Sequence, residues 1–162
     1  MKDSHIVVVA DGSRARLFTL SADTASGARL EEVEVRVNPE HRALDRDKFS
    51  DTRPGSTPAP GGGPAHGFDD HRARHDQEHE RGFAREITAL ALDLARRHHA
   101  SRLVIAAEKR MLGLLRGALE LPAHSGIEVS DVASDLTRLA PDRIHEHLAN
   151  DGLLPHRRMP GG

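Results

Sequence analysis

Ile6-Val7-Val8-Val9-Ala10 is an unbroken, mostly β-branched run closed by Asp11-Gly12-Ser13. Branched apolar side chains with no polar alternation describe a strand buried on both faces, and Asp-Gly-Ser is turn chemistry. Such a strand belongs in the middle of a sheet that has other layers packed on it. The rest of the chain has to supply those layers.

It does so in two stages. Arg16–Leu20 returns after a short connection, as an antiparallel hairpin partner would. Between Leu30 and Val37, Val33, Val35 and Val37 alternate with Glu32, Glu34 and Arg36, so a third strand with one buried and one wet face is expected to complete a meander. Further on, Phe83, Ile87, Leu90 and Leu94 recur at helical spacing up to about His99. Leu103–Ala107 reads as a buried strand, and Met111–Leu119 as a helix stopped by Leu121-Pro122. Ile127–Val132 is a fifth strand, and Pro141 opens a last helix that closes near Asn150-Asp151-Gly152. With right-handed crossovers, the fold class is α/β: a mixed five-stranded sheet in the order β-β-β-loop-α-β-α-β-α. Residues 1–152 are read as one domain and 153–162 as a flexible tail.

Residues 38–78 carry no period that a strand or helix would leave, and they collect Pro39, Pro54, Pro58, Pro60 and Pro64 with Gly55, Gly61, Gly62, Gly63 and Gly67. A loop of that length inside a compact domain is uncommon and is a place to look for activity.

Composition narrows the chemistry. Cysteine is absent, which removes disulfides, thiolate nucleophiles and Cys-based zinc sites. The formal charge is −2 and only Lys2, Lys48 and Lys109 are lysines, so positive charge is nearly all arginine, whose planar fork suits phosphate and carboxylate. Global charge draws the chain to neither nucleic acid nor membrane, which leaves local patches such as Arg14 with Arg16. Tyr and Trp are absent, so base reading by stacking is not expected. The twelve histidines add positive charge as pH falls through ~6.5. The apolar run at Ile6–Ala10 is too short for a signal-peptide core or a membrane span, and the expected localisation is cytoplasmic.

Four blocks carry a resemblance: Val9-Ala10-Asp11-Gly12-Ser13-Arg14-Ala15-Arg16-Leu17-Phe18, Asp51-Thr52-Arg53-Pro54-Gly55, Phe83-Ala84-Arg85-Glu86-Ile87 and Asp135-Leu136-Thr137-Arg138-Leu139. In this order and spacing the chain resembles the bacterial host-attachment protein family, also described as release-factor-like. The resemblance implies an RNase H-like fold, as in the central domain of archaeal and eukaryotic class-1 release factors. Where those proteins carry Gly-Gly-Gln before the long helix, this chain has Gly61-Gly62-Gly63-Pro64, and Ser56 stands where the family commonly has Arg. Without the glutamine that helps position water, peptide release is not expected. The implied function is that of a non-catalytic RNA- or ribosome-associated binding protein with ribosomal or transfer RNA as partner, no cofactor and no membrane. Its contact loop would consist of Arg53, Pro54, Gly55, Gly61, Gly62, Gly63 and His66, whose glycines let backbone amides approach phosphates. Association into a homo-oligomer is left open.

Other chemistry is weaker. His71, His75 and His79 stand four apart and would share one face if the helix began early, a permissive metal spacing, but histidines in such a segment are more often simply solvated. Asp11, Glu108 and Asp135 each follow a strand closely, as the magnesium ligands of an RNase H-like nuclease would. The same positions suit a turn, a helix cap and a loop tie. Arg110 and Arg116 read as solubility charges, and Ser13 lacks the context of a hydrolase nucleophile.

Overall fold

The computed structural model describes residues 4–20, 28–39, 65–122 and 124–157, with the backbone alone for 65–73 and 76. The apolar run forms β1, His5–Ala10, buried at every position. It pairs antiparallel with β2, Arg14–Leu20, and parallel with β4, Arg102–Ala107, so that Val8 lies between Leu17 and Ile105. β3, Leu30–Val37, pairs antiparallel with β2, and β5, Glu128–Ala133, pairs parallel with β4. The sheet order is β3-β2-β1-β4-β5. This is the mixed five-stranded arrangement expected for the α/β chain.

Helices cover both faces, which is why β1 has no wet side. On one face Ile6, Val8, Ala10, Leu17, Leu103 and Ile105 meet α1, Ala65–Arg97, and α2, Lys109–Ala118, through Phe83, Ile87, Ala91, Leu94, Met111, Leu112 and Leu115. On the other, Val7, Val9, Phe18, Leu20, Val104 and Ala106 meet α3, Pro141–Asn150, through Ile144, Leu148 and Ala149. Each fully buried Val, Leu, Ile or Phe contributes roughly 1.5–3 kcal/mol. Alternate side chains of one strand thereby hold two separate cores together.

Local chemistry sets the ends of the helices. α1 stops where His99 takes φ 51°, letting Ala100 N–H reach the Ala95 carbonyl at 2.8 Å. Glu108 caps α2 by accepting from the N–H groups of Arg110 (3.0 Å) and Met111 (2.7 Å). Pro141 opens α3, and Gly152, at φ 76°, follows its end.

Three expectations need correction. The loop was placed at 38–78, yet α1 begins at Ala65. No apolar stripe marks its first turns in the sequence; among the side chains described, Arg74, His75, Gln77 and Glu78 are exposed and Phe83 is the first that is buried, so the helix there continues the packed half. The valines of β3 were expected to be buried, but Val33, Val35 and Val37 are 40–50% exposed. β3 is an edge strand with no outer neighbour among the described residues, and Glu34 lies opposite Leu17 while Glu32 lies opposite Phe18, so Val33 is an extra residue that breaks the strict alternation. Finally, residues 153–157 of the expected tail are packed: Leu154 is buried, the Pro155 carbonyl lies 2.7 Å from His145 Nε2, and Arg157 pairs with Asp142 at 3.0 Å.

Candidate functional site

The parallel strands β1, β4 and β5 end on the same side of the sheet. Between β1 and β4 the chain direction of successive connections reverses, the kind of place where open α/β sheets bind ligands. Asp11, Glu108 and Asp135 follow the ends of these strands.

Each carboxylate is engaged close to home. Asp11 Oδ1 accepts from Ser13 N–H, Ser13 hydroxyl and Arg14 N–H, all at 2.8 Å, which pins the turn between β1 and β2. Asp135 Oδ1 accepts from Thr137 N–H at 3.1 Å and from its hydroxyl at 2.6 Å. Glu108 is the cap of α2. The same Thr137 hydroxyl stands 3.1 Å from Asp11 Oδ2, so one hydrogen serves two carboxylates and ties the turn after β1 to the loop after β5. Burial works to raise the pKa of Asp11, but the Ser13, Arg14 and Thr137 hydrogen bonds outweigh it and hold the carboxyl below its ordinary value.

Arg16 closes the same junction from below. Its guanidinium donates to the carbonyls of Thr137 (3.0 Å) and Leu139 (2.6 Å), forks onto Glu32 (2.7 and 3.1 Å) and lies over the Phe18 ring. The Asn38 side-chain amide donates a hydrogen bond to the Gly12 carbonyl at 3.2 Å.

The sequence-derived basic patch is therefore divided. Arg14 and Arg16 stand two apart on β2, opposite Val37 and Val35 of β3, but the charge of Arg16 is spent on Glu32. Arg14 is exposed and makes no ion pair among the described residues, and the same holds for Arg138, next to Thr137. Arg110 and Arg116 are matched by Glu80 and Asp131.

Arg53, Pro54, Gly55, Gly61, Gly62 and Gly63 lie outside the described residues, and His66 is described only as backbone within α1. His71, His75 and His79 do fall on one helix, and the rings of His75 and His79 meet edge to face at 4.5 Å. Among the described residues no three His, Asp or Glu side chains form a group that could hold a metal ion. No helix among them is long and apolar enough to cross a membrane.

In the sequence Thr137 and Arg138 stand out only as part of the block Asp135–Leu139, with no role of their own. An Asp followed two residues later by Thr is the signature of a side-chain-closed turn and was the available signal. The span of over a hundred residues between Thr137 and Asp11 could not be read without the fold.

Comparison with known proteins follows the same blocks. A family model described as a protein required for attachment to host cells matches residues 6–148, from the start of β1 into α3. The chain belongs to this host-attachment family. Both junction loops of this host-attachment protein, Asp11–Arg14 and Asp135–Leu139, lie inside the matched region. Among solved structures, one of RuvC from Thermus thermophilus is similar at 11% identity, covering 96% of this chain and 84% of that one, with a TM-score of 0.34. A likeness that loose carries no argument. A search of curated proteins found no match.

Proposed function

We propose that this host-attachment-family protein is a non-catalytic RNA-binding protein of the cytoplasm, and that ribosomal or transfer RNA is its partner. The observation that carries the reading is the division of labour at the junction. Asp11, Glu108 and Asp135 keep their charge but are held by turns, a cap and Thr137, while the guanidiniums of Arg14 and Arg138 stand exposed without an ion pair among the described residues. Arginine forks on a rigid rim are suited to phosphates. The Gly-rich segment with Arg53, Pro54, Gly55, Gly61, Gly62, Gly63 and His66 is proposed as a second contact, and kinship to release factors as the origin of the RNA preference. On this reading, the protein contributes to host attachment indirectly, through translation.

Sedimentation of tagged protein through a sucrose gradient tests it. The wild type should travel with ribosomal particles, and Arg14→Ala with Arg138→Ala should move it toward the top. Protein that stays at the top under every growth condition defeats the ribosome reading.

One observation favours a rival: Asp11 and Asp135 accept from the same Thr137 hydroxyl, so two carboxylates meet beyond the ends of β1 and β5, where the magnesium ligands of a nuclease would stand. Incubation with single- and double-stranded RNA plus magnesium separates the two. The binding reading expects intact RNA; magnesium-dependent cleavage abolished by Asp11→Asn would establish the nuclease.

A further inference from the structure

Val33, Val35 and Val37 are the exposed large hydrophobic residues among the described residues, and all three lie on β3, the edge of the sheet that those residues form. An edge strand offers unpaired N–H and C=O groups, and edges that must stay single are usually guarded by charge. Here Glu31 and Glu32 guard the first half of the strand, before the extra residue Val33. The second half, Val33-Glu34-Val35-Arg36-Val37, reads as the same pattern in both directions: apolar, charged, apolar, charged, apolar, with opposite signs at its two charged places.

A strand of that kind is complementary to itself. Laid antiparallel on a second copy with Val35 on the two-fold axis, Val35 faces the partner's Val35 and Glu34 faces the partner's Arg36 twice over, while the bulged Val33 comes level with the partner's Val37. No other antiparallel register of these five residues pairs every valine with a valine and every charge with its opposite. Glu34 and Arg36 are both partly exposed, and their contacts within the chain are loose, at 3.5 Å to each other and 3.8 Å from Arg36 to Glu86, so both can turn outward to a partner. The guarding glutamates fall outside the paired stretch, so the pairing is confined to these five positions.

We infer that the β3 edge is a homodimer interface, in which two copies join through antiparallel β3 strands centred on Val35 into one continuous sheet. This inference is independent of the RNA reading. The occupant is a second copy because the complementarity is of the strand with itself: an unrelated strand has no reason to carry the reversed pattern.

The absence of cysteine makes the register directly testable. Residues directly opposite in an antiparallel pair have Cα atoms about 4.5–5.5 Å apart, within disulfide reach. Mild oxidation should therefore cross-link Val35→Cys to itself in high yield. Val33→Cys alone should cross-link poorly, but should do so well when mixed with Val37→Cys. Light scattering should give twice the 17.7 kDa chain mass for the wild type. Glu34→Arg and Arg36→Glu each set like charges opposite one another and should raise the dimer dissociation constant about tenfold, and an equal mixture of the two should recover the dimer. These side chains are exposed or partly exposed, so far-UV circular dichroism should be unchanged in every variant. A monomer mass at all concentrations overturns the inference. So does a dimer in which Val33→Cys cross-links itself as well as Val35→Cys does, or one that the charge variants leave intact.

Discussion

Thr137 has one hydroxyl hydrogen and two carboxylate neighbours, Asp135 at 2.6 Å and Asp11 at 3.1 Å, and is itself buried. Thr137→Val keeps the shape and removes the hydrogen, leaving two carboxylate oxygens short of a donor. It should cost about 1–3 kcal/mol in urea unfolding, while Thr137→Ser should restore most of the loss. Asp11 makes a pH prediction. Its folded pKa is held below the ordinary 3.8, so its contribution is complete above the unfolded value and is lost as pH falls through the folded one. Stability measured by urea titration should therefore decline on acidification below about pH 4, and Asp11→Asn should start lower and show a shallower decline. The local roles of Asp11, Glu108 and Asp135 were legible as turn, cap and loop tie, because each acts within three residues of itself. The clamp of Arg16 was not, since its carbonyl partners lie more than a hundred residues away.

Among the elements, what the sequence disclosed was what an apolar period marks. The packed half of α1 announced itself through Phe83, Ile87, Leu90 and Leu94, whereas its first turns have almost no apolar residues and could not be told from the loop before them. Ile87→Ala should accordingly cost about 2–5 kcal/mol and Glu78→Ala less than about 0.5 kcal/mol, a contrast that thermal and urea unfolding would resolve. The end of α1 carries strain of its own: His99 sits at φ 51°, a conformation that costs a non-glycine residue roughly 1–2 kcal/mol. His99→Gly should raise stability by about 1 kcal/mol, seen as a higher melting temperature. β3 shows the opposite limit of sequence reading. Alternation predicts which residues share a face but not how completely that face is covered, and on this edge strand the described residues leave the valines half exposed.

At the scale of the whole molecule the topology was the most legible feature. A doubly buried first strand, a short hairpin and two helix-bearing crossovers leave little choice of strand order, and the order β3-β2-β1-β4-β5 follows. The candidate site was legible only as a place, the carboxyl ends of the parallel strands. Its logic, carboxylates held in turns and a cap and Arg14 and Arg138 left exposed, required the long-range contacts. The most direct test of that logic is the salt dependence of RNA affinity. Fluorescence anisotropy with labelled transfer and ribosomal RNA should give, for the wild type, an affinity that falls linearly in log–log terms with salt. Replacing Arg14 and Arg138 with Ala should weaken binding about tenfold and lessen the slope by roughly 0.7 to 1 per arginine. An unchanged affinity and slope in the double variant, with its fold intact, would contradict the account.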